Sequence, residues 1–300
     1  MSNINTNKIA YLEVGNQCFC NCVMCDIHKK PHEKINFDVF TSRVDKLIEN
    51  GFNQIRLAGN DPLTHPDIID MMFYIKTKTN IVLDITTTLL SPDPEVIRYT
   101  SLADILRVSL FAVYDEYEKF YNVKKFELLC NNLRRLQYFN TLIFNYTIVS
   151  GKNVNYLKEH ALDLVKFVKN HVDFLYIFNI FPSIDYNSPI LSYDESYRIS
   201  CFLDILDMNS VNFTYINQKY KKMSSCSVNS KSLYIRINGD VYPCCMAGGE
   251  IGQELFPELL LGNIDKDSMD FLTTKKLTNL NNITCDYCTP KYWRLQNYHD

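Results

Sequence analysis

No stretch of this sequence approaches the roughly 18 consecutive apolar residues of a membrane span. Its polar opening, Met1 to Ala10, lacks the apolar segment of a secretory signal. No run of Lys and Arg marks a nucleic-acid groove or an anionic membrane surface: 31 basic residues are interspersed with 34 acidic ones, for a net charge of -3. The G-x-x-x-x-G-K-[ST] loop and the G-x-G-x-x-G fingerprint are both missing, so a nucleoside triphosphatase or a Rossmann oxidoreductase has no support. Six histidines form neither H-x-x-H nor H-E-x-x-H, and His65, before Pro66, reads as a loop residue. Internal repeats and low-complexity tracts are absent too. The expectation is therefore a cytosolic chain, with neither a nucleic-acid nor a membrane partner indicated.

Two things are plentiful. Hydrophobic side chains make up 46% of 300 residues, enough for one large core and a small satellite. There are also eleven cysteines, and a reducing cytosol directs them to metal or catalysis rather than disulfides. Cys18, Cys20, Cys22 and Cys25 crowd the N-terminus, while Cys226, Cys244, Cys245, Cys285 and Cys288 lie in the last quarter. Two thiolate sites follow. Cys130 and Cys201 fall in helical patterns and read as packing residues.

The first 180 or so residues alternate β-rich runs with amphipathic helical segments, the pattern of a parallel sheet wrapped by helices. Strands are expected at Lys8 to Val14, Asn53 to Gly59, Ile81 to Thr87, Asp104 to Phe111, Leu142 to Val149 and Asp173 to Phe181. Helical spacing of Phe37, Phe40, Val44, Leu47 and Ile48 ends at Gly51, and a second such pattern runs through VNYLKEHALDLVKFVKNH. Six β/α units fit an open partial barrel or a doubly wound sheet; both gather ligands at the C-terminal strand ends. Beyond Pro182, SYDE (Ser192 to Glu195) forms a capping box for a helix to about Met208. SLYIRINGDVYPCC then reads as a hairpin with Asn238-Gly239 as its tight turn, followed by a Gly- and Pro-punctuated loop and a short helix. The expected class is α/β, with domains at 1–222 and 223–300.

Cys18, Cys22 and Cys25 lie directly after the first strand with the spacing C-x3-C-x2-C. Three thiolates on one loop can hold three irons of a 4Fe-4S cubane and leave the fourth iron open. Zinc sites instead draw paired cysteines from separate knuckles. This motif resembles the signature of the radical S-adenosylmethionine (SAM) superfamily. The resemblance implies a partial (β/α)6 barrel in which the open iron chelates SAM and one electron cleaves it to a hydrogen-abstracting 5'-deoxyadenosyl radical. It also implies a low-potential donor of flavodoxin or ferredoxin type. Gly59-Asn60-Asp61-Pro62 resembles the family's G-G-E-P segment, which binds the methionine amino group; Asn60 and Asp61 depart from Gly and Glu, and Asp61 keeps the acid one methylene shorter. Ser109, ending the fourth strand, stands where members contact the ribose. Met24 occupies the adenine-contact position before the last cysteine, and Cys20 is out of register, a bystander.

In the last quarter, Cys226, Gly239-x4-Cys244 and the pair Cys285 and Cys288 can complete a cysteine-only zinc site or a fully ligated 4Fe-4S cluster. Their layout resembles the shortened SPASM, or twitch, domain with one auxiliary cluster, as in 2-deoxy-scyllo-inosamine dehydrogenase and aminoglycoside radical epimerases. Cys245 follows Cys244 on what reads as an extended arm, so its side chain points the other way. It is either a hydrogen-atom donor or a small buried hydrophobe. The resemblance implies an oxidoreductase or epimerase acting on a sugar or aminocyclitol. Modification of a ribosomal peptide and a non-catalytic, zinc-stabilised binding protein are the rival readings.

Overall fold

The computed structural model describes residues 8–23, 25, 31–78, 80–136, 141–149, 154–172, 174–180, 193–215, 232–248 and 257–282. In chain order come β1 (Ile9–Gly15), α1 (Phe37–Glu49), β2 (Gln54–Gly59), α2 (Ile68–Lys76), β3 (Val82–Thr87), α3 (Pro94–Tyr99) and β4 (Ile105–Leu110). Then follow α4 (Asp115–Tyr121), α5 (Phe126–Arg135), β5 (Leu142–Val149), α6 (Val154–His171), β6 (Phe174–Ile180), α7 (Tyr193–Met208) and β7 (Phe213–Tyr215). The last elements are β8 (Ser232–Ile235), β9 (Asp240–Tyr242), the single turn α8 (Cys245–Gly248), β10 (Gly262–Asn263) and α9 (Met269–Asn282).

Two compact units interleave along the sequence. The first comprises Met1–Gln17, His32–Ile85 and Tyr220–Arg294; the second comprises Cys18–Pro31, Thr86–Lys219 and Leu295–Asp300. Within the first, the strand order is β10-β9-β8-β1-β2-β3, with β8, β1, β2 and β3 parallel and β9 and β10 antiparallel. Within the second, β4-β5-β6-β7 are all parallel.

Strand alternation sorts the side chains of the first unit. Ala10 and Leu12 of β1, Ile55 and Leu57 of β2, and Leu83 and Ile85 of β3 are fully buried. The intervening positions put Tyr234, Tyr11, Arg56 and Asp84 in one register row across β8, β1, β2 and β3, hence on one face. Along that row Tyr234 stacks on Tyr11 at 6.2 Å, and the Arg56 guanidinium donates to Asp84 at 2.6 and 2.9 Å and to the Tyr11 hydroxyl at 3.1 Å. Helix α1 begins where the Asn36 side chain accepts from the Asp38 amide at 2.8 Å, and it is followed by Gly51 at φ +79°. Its buried stripe is Phe40, Val44 and Leu47, each contributing about 1.5–3 kcal/mol of apolar burial.

The α/β class and the six β/α units preceding a C-terminal hairpin and helix are as expected, and all six strands start and stop within one residue of their expected limits. Three details differ. The hairpin loop is longer than the Asn238-Gly239 pair: Arg236 bonds to Asp240 and accepts from the Gly239 amide, so Ile237 and Asn238 are the central residues and Gly239 (φ +87°) takes the left-handed position after them. Cys244 and Cys245 are not on an extended arm, because β9 stops at Tyr242 and Cys245 opens α8. The terminal helix is 14 residues rather than short. Strands β7 and β10 had no sequence signal, being three and two residues long. Ser192, Cys226, Cys285, Cys288 and Met24 lie outside the described residues. Among the described residues, no helix is long and apolar enough to cross a membrane.

Candidate functional site

The cysteine loop belongs to the second unit and leaves the C-terminal end of β1. Burial separates its cysteines: Cys20 is 2% exposed, whereas Cys18, Cys22 and Cys25 are all partly exposed. The out-of-register thiol is therefore the one withdrawn into the core. The Cys25 amide donates to the Cys22 carbonyl at 3.0 Å, closing a tight turn between those two cysteines. The rest of the loop is tied to α4. Asn122 adopts a left-handed conformation (φ 51°) and ends that helix, leaving its last carbonyls without helical partners. The Asn21 amide donates to the Tyr121 carbonyl and the Val23 amide to the Phe120 carbonyl, both at 3.1 Å. Lys125 adds a bond from Nζ to the Phe19 carbonyl at 3.2 Å.

Tyr121 is fully buried, stacked on Tyr117 at 4.0 Å, and its hydroxyl donates to the Ser109 carbonyl at 2.7 Å. Burial holds that phenol well above its ordinary range, so it stays a donor; Tyr117, Cys22 and Cys20 act in the same direction. Ser109, at the end of β4, is partly exposed and stands opposite Asn145 of β5 in register. The Asn145 Oδ1 is buried and accepts no hydrogen bond. Tyr121, Lys125 and Asn145 were not singled out from the sequence, since a helix-end tyrosine and a strand asparagine carry no spacing signal.

The end of β2 lies in the first unit. Gly59 (φ +121°) lies so close to the Gly15 carbonyl that a Cβ there would collide with that oxygen. The Asn60 side chain donates to the Asn16 carbonyl at 2.7 Å, and the Asp61 amide to the Gln17 carbonyl at 3.0 Å. Asp61 itself is fully buried, and its Oδ1 accepts from the Leu63 amide at 3.2 Å, capping the turn Pro62–Thr64. Gly59 and Asn60 are the partly exposed members of the segment. His65 is 4% exposed with both ring nitrogens engaged: Nδ1 accepts from the Asp67 amide at 3.1 Å, and Nε2 therefore donates to the Ile35 carbonyl at 3.0 Å. It is a structural histidine, as its place in the loop implied.

The hairpin of the first unit is fastened by side chains. Arg43 of α1, 3% exposed, grips Asp265 with two bonds of 2.8 and 2.5 Å and gives Nη1 to the carbonyls of Arg236 and Ile237. Lys46 reaches the carbonyls of Ile264 and Asp267 at 2.5 and 2.7 Å. Buried Glu13 accepts from the Tyr234 hydroxyl at 3.1 Å and faces Arg236 at 3.4 Å. Cys244 and Cys245 both pack on the cluster of Tyr234, Tyr242 and Leu259, beside Tyr11 and Ala58. Burial disfavours the Arg56 charge, but Asp84, then Tyr11 and, least, Cys245 outweigh it and hold the guanidinium above its ordinary pKa.

Among the described residues no three Cys, His, Asp or Glu side chains close around one point as the ligands of a single ion do. A cubane instead takes one thiolate at each of three corners. Three partly exposed thiols on a loop whose backbone is pinned fit that donor set. Of the four C-terminal candidates only Cys244 is described, and its place beside the hairpin fits one corner of a cluster.

Comparison with known proteins agrees. The sequence model described as "Radical SAM superfamily" matches residues 12–164, and that of the "SPASM" iron-sulfur cluster-binding domain matches residues 226–289. Together these domains imply a SAM-binding 4Fe-4S cluster and an auxiliary cluster. The chain is 23% identical over 286 residues to the antilisterial bacteriocin subtilosin biosynthesis protein AlbA of Bacillus subtilis (strain 168), covering 90% of this chain and 60% of AlbA. In fold it is similar to Streptococcus suis SuiB bound to the precursor peptide SuiA, with TM-score 0.68, 14% identity and coverage of 93% of this chain and 66% of SuiB. It is also similar to anSMEcpe with bound AdoMet and Cp18Cys peptide, with TM-score 0.63, 17% identity and coverage of 91% and 82%. The chain thus spans somewhat less than two thirds of the length of AlbA and of SuiB. With more than half of its residues inside the first match, carrying the three-cysteine loop, the chain belongs to the radical SAM superfamily.

Proposed function

We propose that this chain modifies a ribosomally made peptide by radical chemistry. The observation that carries this reading is the similarity to a bacteriocin biosynthesis protein along 90% of the chain. Similarity in fold to proteins solved with bound peptides accords with it. A sugar or aminocyclitol, the expectation from the cysteine layout alone, becomes the second choice, because the similarity to AlbA and the likeness in fold to proteins with bound peptides favour a peptide.

In this reading Cys18, Cys22 and Cys25 hold the SAM-binding cluster, and Cys226, Cys244, Cys285 and Cys288 hold the auxiliary one. When bound, the first cluster supplies the electron that splits SAM into methionine and a hydrogen-abstracting radical. Gly59 and Asn60 offer the methionine half its polar contacts. Asp61 serves by shaping the turn, since its carboxylate is buried and engaged as a cap. Ser109 is assigned to the ribose, and Met24, outside the described residues, to the adenine. Cys245, partly buried among tyrosines, is assigned as hydrogen-atom donor if the product is an epimer.

The test is anaerobic: reconstituted protein, a strong reductant, SAM, and a candidate precursor peptide or an aminocyclitol. Peptide-dependent 5'-deoxyadenosine with a mass change in the peptide is the expected outcome: a loss of two hydrogens for a cross-link, or one solvent deuteron for an epimer. Turnover of the aminocyclitol with the peptide unchanged would overturn the substrate class. Iron-free protein containing zinc would overturn the enzyme itself.

A further inference from the structure

We infer that Tyr121 is a positioning residue that sets the cysteine loop and the end of β4 in a fixed relation, and thereby tunes SAM binding. The inference rests on the reading of the loop as the seat of the SAM-binding cluster.

The argument is one of shared attachment. Loop residues 19, 21 and 23 are each bonded to the last turn of α4 or to Lys125 just beyond it, so they flank Cys20 and Cys22 on both sides. The backbone from which Cys22 branches is fixed by main-chain bonds, independent of any side chain in the loop. One of the two helix carbonyls that accept these amides is Tyr121's own. Its side chain runs the opposite way, to the Ser109 carbonyl. A single fully buried residue, clamped by the Tyr117 ring at 4.0 Å and the Phe111 ring at 5.2 Å, therefore bonds the loop with its backbone and the strand end with its phenol. Removing the phenolic oxygen leaves the ring packing in place but frees the β4 end from the helix that carries the loop. The Ser109 carbonyl then loses the phenol as a donor.

The full chain carrying Tyr121→Phe, reconstituted anaerobically, tests this. Expected is wild-type iron content, SAM affinity reduced roughly fivefold, a changed electron paramagnetic resonance spectrum of the reduced cluster after SAM addition, and little change in kcat at saturating SAM. Wild-type affinity and an unaltered spectrum would overturn the role of Tyr121. If the variant fails to accumulate, Lys125→Met, altered at a half-buried position of the same cradle, is titrated in the same way, and an unaltered SAM response there overturns the proposal. The wild-type control keeps the two ideas apart: wild-type protein that binds no SAM sinks the functional reading, whereas normal wild-type binding with unaffected variants sinks only the positioning role.

Discussion

The cysteine loop and the C-terminal hairpin would both present thiolates to iron, yet they are secured by different means. The loop hangs from α4 largely by main-chain bonds, Asn21 to Tyr121 and Val23 to Phe120. The hairpin is gripped by charged side chains of α1, Arg43 on Asp265 and on two carbonyls, with Lys46 on two more. Main-chain anchoring tolerates sequence change at the bonded positions; side-chain anchoring concentrates the load on a few residues. The largest expected effect distinguishes the two regions by function. Replacing Cys18, Cys22 and Cys25 together by Ala should cut 5'-deoxyadenosine formation by at least about 1000-fold and leave about four irons per chain, whereas Cys244→Ala should lower iron but leave SAM cleavage within roughly tenfold. Iron analysis beside product chromatography reads both, and equal losses would erase the distinction.

A glycine pair sharpens the contrast at the next level. Gly59 and Gly239 both have positive φ, +121° and +87°. A Cβ on Gly59 would strike the Gly15 carbonyl, which is backbone and cannot move without parting β1 from β2. A Cβ on Gly239 would meet Asp265 Oδ2 at 2.6 Å and Arg43 Nη2 and Asn263 Oδ1 at 2.9 Å, all ends of side chains. Gly59→Ala should therefore cost about 3 kcal/mol and Gly239→Ala about 1–2 kcal/mol in urea unfolding under anaerobic conditions. The reverse order would mean the hairpin clamp is the stiffer of the two.

The clamp itself comes next. Arg43→Met removes four bonds, two of them to the carbonyls of Arg236 and Ile237, but the Arg236 carbonyl keeps the Gly239 amide as a donor, and Asp265 is 39% exposed, so water will resolvate it. Discounted for that exposure, the loss should be about 2 kcal/mol. Hydrogen exchange should rise at 236–240 and 263–267 while staying unchanged at 19–23. Exchange rising at both would contradict independent anchoring.

This difference in anchoring also governs what could be read from the sequence. The strands were legible because their apolar residues, such as Leu142, Ile143, Phe144, Tyr146 and Ile148, are buried, and the cysteine spacing was legible because chemistry requires it. The hairpin turn was misplaced by one residue: an Asn-Gly pair signals a turn without saying whether glycine is central or follows. An extended arm through Cys244 and Cys245 overlooks Pro243, which has no N–H to give a ladder and follows directly where β9 stops at Tyr242. Partnerships that only the fold brings together, such as Arg43 with Asp265 and Tyr121 with Ser109, leave no periodic trace in the sequence.

The smallest expected effect is acid loosening confined to the N-terminal frame. His65 is buried and accepts from the Asp67 amide at Nδ1, so protonating that nitrogen breaks a bond and buries a charge. Burial is the main cause of its lowered pKa, and the Ile35 bond only partly opposes it. The unfolded chain, with histidine near its ordinary value of about 6.5, binds the proton more readily than the folded one. Stability should therefore be complete above about pH 6.5, fall as pH drops through that value, and level off beneath the folded pKa. In His65→Gln the slope of urea midpoint against pH between about 7.5 and 5.5 should be shallower than in the wild type. The accompanying rise in hydrogen exchange should appear at 33–35 and 65–67 and not at the hairpin, whose clamp contains no histidine. A wild-type slope that survives the substitution would shift the acid sensitivity to other groups and leave His65 with a packing role alone.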